Sequence, residues 1–378
     1  MIHYMPHAVA FIFGVICFVS GPTTSIANED PSQPSGLSLA VSEEFLQTFL
    51  TAEYHGQDVS TEKDQAFGFD QVGLRIKKEK ITLSTNFWYK KFLTKAKKTP
   101  LIDVAGFLKA SFSTQYIAKK KRIMLANSSI DELDLRKGAA LKPLLIPLLS
   151  QAINRVIVWK KINNIALGDY AEIPVNQVKV DLREKSVVVH LNQPSLVPEE
   201  LLQEMFVISA NESMINIALE AITPYMFPEF HGTLEGYTIE LAKKPFMDIF
   251  PGPSVKQGEM QLHLPLLLIP GESQKKQSPL PLTLLLGVTP HLEGQEKQVS
   301  MRLELDTSFQ FSETDSSPPA SIQQALQAYV VQAQQVLSQL KLEIPPIQFI
   351  REKQALQLSK VVLDNDQLGL GATLVNIE

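Results

Sequence analysis

The sequence is poorest in cysteine. Of 378 residues only one is a cysteine, Cys17. No zinc site built on two or four cysteines, no iron–sulfur cluster and no intrachain disulfide framework can therefore form. An excess of positive charge is lacking too. The formal net charge is −5, without the basic footprint of a nucleic-acid binder, and no nucleic-acid partner is expected. Catalytic signatures are scarce: there is no Gly-x-Ser-x-Gly elbow, Gly-rich phosphate loop or Gly-x-Gly-x-x-Gly stretch, and no His-x-x-x-His pair among His55, His190, His231, His263 and His291. His263 falls on the polar side of an alternating segment and reads as a surface histidine. Asp364-Asn365-Asp366-Gln367-Leu368-Gly369 begins like a calcium loop, but Leu368 and Val375 occupy ligand positions, so a hairpin turn is expected. The reading is of a protein that is not an enzyme, with no catalytic residue, metal or cofactor. After the N-terminal stretch no run of 18 apolar residues occurs, and no membrane-spanning helix is expected.

What is present begins with an apolar run from Ala8 to Gly21, the length of a signal h-region, followed by the small-x-small site Ser25-Ile26-Ala27. Residues 1–27 therefore read as a signal peptide, although its first segment carries His3 and His7 in place of Lys or Arg. Cleaved before Asn28, the chain would be exported and free of thiols, which suits a Gram-negative periplasm. Residues 28–37, with Pro31 and Pro34, read as a flexible leader.

Charge divides the remainder. Residues 28–195 hold 24 Lys and Arg against 18 Asp and Glu, net +6, and residues 196–378 hold 11 against 22, net −11. The change falls at the proline-bearing stretch 192–198, which predicts a linker between a basic domain, 38–195, and an acidic domain, 196–378. Both repeat one order of elements. A capped, acid-started helix opens each, at Ser42-Glu43-Glu44-Phe45 and at Asn211-Glu212-Ser213-Met214. Strand-like segments follow at 67–77, 80–89, 101–116 and 121–135, and again at 231–241, 258–269, 280–292 and 297–312. A long apolar-faced helix comes next, at 142–161 with Pro147 inside it and at 322–340. Two terminal strands close each half, at 175–182 and 186–191 and at 356–363 and 368–375. The order predicts an α+β fold of two tandem elongated domains. Each would be a highly curved antiparallel sheet wrapped around a long amphipathic helix.

Alternation is the evidence for the strands. Leu262, Leu264, Leu266 and Leu268 share one side, as do Leu282, Leu284 and Leu286 and the row Met301, Leu303, Leu305. On the last helix Tyr329 and Leu337 belong to the apolar face. Such rows make either an ordinary core or the wall of an acyl-chain groove, and periodicity does not separate filled from hollow. The groove candidates are Leu262, Leu264, Leu266, Leu284, Leu286, Met301, Leu303, Leu305, Tyr329 and Leu337.

Basic residues gather in turns. In a meander, Lys77, Lys78 and Lys80 share an end with Lys119, Lys120, Lys121 and Arg122. The opposite end carries Trp88, Tyr89, Lys90, Lys91, Phe92, Leu93, Lys95, Lys97 and Lys98. Aromatic rings among lysines are the composition of a contact with an anionic membrane surface; the alternative is a solvated hairpin.

The duplicated helix starts, the element order and the stretch Leu144-Leu145-Ile146-Pro147-Leu148-Leu149-Ser150-Gln151-Ala152-Ile153-Asn154 resemble the tubular lipid-binding (TULIP) superfamily. That is the superfamily of bactericidal/permeability-increasing protein and lipopolysaccharide-binding protein. The resemblance implies two barrels, each with a helix packed in its sheet, and an apolar groove that binds lipid without turning it over. The expected function is periplasmic lipid binding or lipid transfer, with a lipid or other acyl-chain ligand as partner. A scaffold or chaperone-type interaction protein with filled cores, or a lipid hydrolase, are the alternatives.

Overall fold

The computed structural model describes residues 36–54, 64–93, 99–136, 139–154, 157–159, 164–167, 171–192, 196–226, 231–234, 236–250, 259–271, 278–295, 298–311, 320–337, 341–344, 347–348, 354–364 and 366–376. The expected signal peptide, 1–27, lies outside the described residues.

In chain order the first half holds β1 (Gly36–Ser42), α1 (Glu43–Tyr54), β2 (Gln65–Ile76), β3 (Ile81–Phe92), β4 (Pro100–Ile117), β5 (Arg122–Leu135) and α2 (Lys142–Ile153). Short strands β6 (Ile157–Trp159), β7 (Asn164–Leu167) and β8 (Ala171–Pro174) precede β9 (Val178–Arg183) and β10 (Ser186–Asn192). The second half holds β11 (Phe206–Asn211), α3 (Glu212–Met226), β12 (His231–Leu234), β13 (Tyr237–Leu241), β14 (Phe246–Phe250), β15 (Glu259–Pro270), β16 (Leu280–Gln295) and β17 (Gln298–Phe311). It ends with α4 (Ala320–Leu337), β18 (Lys341–Ile344), β19 (Ile347–Gln348), β20 (Gln354–Asp364) and β21 (Gln367–Asn376). Every described strand pair is antiparallel, so the class is α+β. The expected meander segments match β2 to β5 and β15 to β17 closely. The segment 231–241 breaks at Gly236, whose φ of 85° a side chain disfavours, into the hairpin β12–β13.

The sheets give the halves a common centre. One sheet is the first-half meander, β2-β3-β4-β5-β6, and another the second-half array, β12-β13-β15-β16-β17-β18, with β14 beside β15. Between them, β19-β20-β21-β11-β1-β10-β9 combines the terminal strands of both halves. β1 lies inside that central sheet, paired with β10 on one side and β11 on the other. The leader therefore stops short of 37, because Gly36 and Leu37 already belong to β1, where Leu37 and Leu39 alternate into the core.

Two other expectations are corrected. The helix expected over 142–161 ends at Ile153. Asn154 takes the Ser128 amide on its Oδ1 and the Ser128 hydroxyl donates to the Ser150 carbonyl, which ties the helix end to β5. Past it, the branched run Val156, Ile157, Val158 suits a strand, and β6 pairs with β5. The stretch taken as a linker is not free either. Val197, Pro198 and Leu201 are buried in a small cluster with Ala40, Val188, Val207 and Val362 on one face of the central sheet. There Gly369 and Gly371 leave the room that Leu201 fills: an added Cβ would come within 2.5 Å of the Leu201 Cδ1 at Gly369 and of the Glu204 Cγ at Gly371. Residues 193–195 lie outside the described residues.

The duplication extends to single hydrogen bonds. Ser42 Oγ accepts from the Phe45 amide, and Asn211 Oδ1 from the Met214 amide, capping α1 and α3. In α1, Glu43 accepts from Ile76 N and Gln47 from Leu74 N, satisfying amides of β2. In α3, Glu212 accepts from Ile249 N, and Asn216 both accepts from Met247 N and donates to its carbonyl, on β14. Each opening helix thus covers amides of a strand that, among the described residues, has a strand partner on its other side only, the usual weak point of a sheet.

Candidate functional site

The aliphatic rows come together as alternation requires. On β15 every second residue from Met260 to Leu268 is buried, and the register sets Leu262 opposite Leu286, Leu264 opposite Leu284 and Leu266 opposite Leu282. Leu262, Leu264, Leu266, Leu284 and Leu286 are 0–1% exposed. A side chain lining a water-sized hollow would show surface to it; these five do not, so the row is filled at this point. Among the described side chains of α4, Ile322 and Leu326 close on the core. β17 places Met301, Leu303 and Leu305 opposite Leu292, Pro290 and Val288. The side chains of Met301, Leu303, Leu305, Tyr329 and Leu337 lie outside the described part. The core is continuous: one cluster runs from Leu37 through the meander, the central sheet and β15–β16 to Leu370.

At the expected membrane contact the strand outruns its sequence boundary. β3 extends to Phe92, so residues 88–91 alternate between faces instead of forming a turn. Tyr89 falls on the inner side, is 0% exposed, and burial together with nearby Asp64 pushes its phenol pKa up. Tyr89 is a core residue, which corrects its place among the membrane candidates. Trp88, Lys90, Lys91 and Phe92 are half-buried. Lys90 lies 3.7 Å from Asp103 and Lys91 3.6 Å from Asp64. Lys95, Lys97 and Lys98 lie outside the described residues.

Two exposed leucines mark this end: Leu93, expected there among the rings and lysines, is 75% exposed, and Leu101, which sequence reasoning missed, is 62% exposed. The start of α2 stands further along the sheet: Arg136 N bonds the Ala105 carbonyl, four residues along β4 from Leu101, and Lys142 sits 3.7 Å from Asp134. Around it Leu141, Leu144 and Ile146 are exposed. A signal was available: apolar residues at every angle of 141–149 are more than one buried face requires. At the other end, Lys77, Lys78, Lys80 and Lys119 to Lys121 are exposed, but not level. Ile81 pairs with Phe112, so Ser113 to Ile117 carry the β4–β5 turn about 16 Å further.

The most specific polar chemistry lies elsewhere, in the central sheet. Ser38 Oγ is 2.6 Å from His190 Nδ1, and His190 Nε2 is 3.2 Å from Asp181 Oδ2. No motif announces this, because the three residues stand on β1, β10 and β9 and meet only through strand register. Burial holds the His190 pKa below its ordinary value, against the pull of Asp181. Burial alone would raise the Asp181 pKa, but the hydrogen bond and charge of Lys179, with those of His190, bring it below the usual range. Ser38 is 0% exposed and flanked by β10 and β11, which bars a substrate from its oxygen. The serine, histidine and aspartate therefore bridge strands. His263, expected at the surface, is largely covered: its ring stacks on Phe246 at 4.3 Å, and Nε2 lies 2.9 Å from Asp248 but off the line of a hydrogen bond.

No protein-family model and no curated protein matches the chain. Solved structures with a related course do exist. Lipopolysaccharide binding protein aligns at 12% identity over 92% of this chain and 100% of its own, with a TM-score of 0.31. P47 of Clostridium botulinum E1 aligns at 10% identity over 90% and 99%, with a TM-score of 0.39. P47 from Clostridium botulinum A2 aligns at 8% over 90% and 97%, with a TM-score of 0.34. The likeness concerns the fold alone, and no residue role or ligand is carried over from it.

Proposed function

We propose that the chain is an exported lipid-binding protein that meets an anionic membrane with the β3–β4 end of its basic half. It binds acyl chains and does not turn them over. The observation that carries this reading is the exposed pair Leu93 and Leu101 at the β3–β4 end of the sheet, next to Lys90 and Lys91. A side chain such as Leu93 gains nothing from burial in the free protein, whereas insertion into a lipid interface supplies it. Lysines near an anionic surface each add about 1 kcal/mol of attraction. In this proposal each half is a curved sheet around its helix, α2 or α4. The rows of β15 and β16 are the wall against which an acyl chain lies once α4 yields, and periplasmic lipid transfer is the role. A second reading, a scaffold or chaperone-type protein with filled cores, is favoured by one observation: the closed packing of Leu262, Leu264, Leu266, Leu284 and Leu286.

Co-sedimentation with phosphatidylglycerol-containing and with pure phosphatidylcholine vesicles tests the surface. Binding should favour the anionic vesicles, weaken with salt and fall at least tenfold in a Leu93→Ser, Leu101→Ser variant. Equal binding by both proteins, or binding indifferent to lipid charge, overturns it. Mass spectrometry of the purified protein under non-denaturing conditions decides between the two readings: a bound lipid mass supports the carrier, and a ligand-free protein after incubation with lipid supports the scaffold.

A further inference from the structure

The polar residues of the central sheet form a line that crosses the junction of the two halves. From β9 to β21 it runs Asp181, His190, Ser38, Ser209, Gln367. Ser38 is the register partner of both His190 and Ser209. Ser209 Oγ donates to the Leu196 carbonyl at 2.8 Å and stands 3.3 Å from Gln367 Oε1. Ser38, His190, Ser209 and Gln367 are all buried. We propose that His190 is a proton-sensitive pin of this seam, and that its protonation loosens the β1–β11 junction and with it the hold of one half on the other.

The chemistry follows from the two ring nitrogens. With a carboxylate at Nε2, the neutral ring keeps its proton there and leaves Nδ1 to accept from the Ser38 hydroxyl. A second proton, at Nδ1, turns that bond around. Nδ1 must then donate, and the Ser38 hydroxyl must accept there and turn its own proton away from the ring, so the bonds along the line rearrange. It also places a cation in a site walled by the cluster that holds residues 197–201 on the sheet. The charged groups acting on the ring are Asp181, Lys179 and Arg183, all on β9, and two of the three are cations. The connection packed on this face adds Glu199 and Glu200, both exposed, and Glu204, which accepts from Ser359. From β20, Lys360 donates to the Glu200 carbonyl.

The sign is fixed by burial, which holds the folded-state pKa below the ordinary 6.5. Above 6.5 neither the closed nor the opened seam carries the proton. Below it the opened seam takes the proton first, so closure weakens as pH falls, by about tenfold for each unit that burial holds back.

Hydrogen exchange of the wild-type protein from about pH 7.5 to about pH 5.5, corrected for intrinsic rates, reads this directly. Peptides covering 36–42 and 206–211 should gain exchange on acidification well ahead of a peptide covering 259–270. His190→Gln, which cannot titrate, should flatten the difference, while His263→Gln should leave it. Equal gains in all three peptides, or an unchanged profile in His190→Gln, overturn the proposal. Should that variant not fold, an imidazole titration of the wild type decides: a His190 pKa at or above 6.5 overturns it too.

Discussion

Glu43 and Glu212 hold the same office in the two halves, and each is the first residue of a helix aimed at an amide of another strand. Removing the acceptor leaves a part-buried N–H without a partner. Glu212→Ala should therefore cost about 1–3 kcal/mol in urea unfolding. Glu212→Gln keeps an oxygen for Ile249 N and should behave differently. Burial, with Asp248 and Asp366 nearby, raises the Glu212 pKa above 4.5 against the pull of Ile249 N. Above 4.5 the unfolded chain gives up this proton more readily than the folded one, so the charged carboxylate works against the fold at neutral pH. The glutamine variant should match or exceed the wild type at neutral pH, and the gap should close as pH falls toward 4.5; a gap that widens contradicts this account. The caps Ser42 and Asn211 were legible from the residues around them. Gln47 and Asn216 were not, because their partners lie 27 and 31 residues away on a strand whose edge no local pattern reveals. The same holds for Ser38, His190 and Asp181.

Elements were legible wherever one period governed them. β15 shows strict alternation in sequence and in burial, and its register with β16 sets leucine against leucine. Because Leu284 sits in a closed row, Leu284→Ala should lose about 2–5 kcal/mol, the range for a cavity left in a packed core. A loss below about 1.5 kcal/mol would mean that space already stood beside it. Short strands escaped notice: β11 and β14 are six and five residues long, too brief for a period to stand out. The end of α2 was hidden for another reason. Ile153 and Val156 continue a helical spacing that the branched run and β5 then override. Alternation placed the strand of Tyr89 but not its end, and a boundary misplaced by three residues was enough to read a core tyrosine as a surface one.

At the scale of the molecule, charge and element order separate two halves that the central sheet then rejoins. The connection between them read as a spacer because its own residues are polar and proline-bearing. What holds it is glycine some 170 positions later, and a gap left by a missing side chain has no local signature. Gly369→Val should push Leu201 and Pro198 off the sheet. Limited proteolysis would then cut between 196 and 205 in the variant well before the wild type; equal protection would show that the contact is dispensable. The position of β1 has a further consequence, for assembly in time. Ser38 waits for His190, 152 residues downstream, and Gly36 for Asn211, 175 downstream. β1, the earliest strand among the described residues, is thus among the last to find its neighbours. Loop closures this long slow the search for the native pairing. Until β10 and β11 emerge, Leu37, Leu39 and Val41 remain an apolar strand with both edges open, so the nascent chain stays vulnerable to mispairing until its second half has begun.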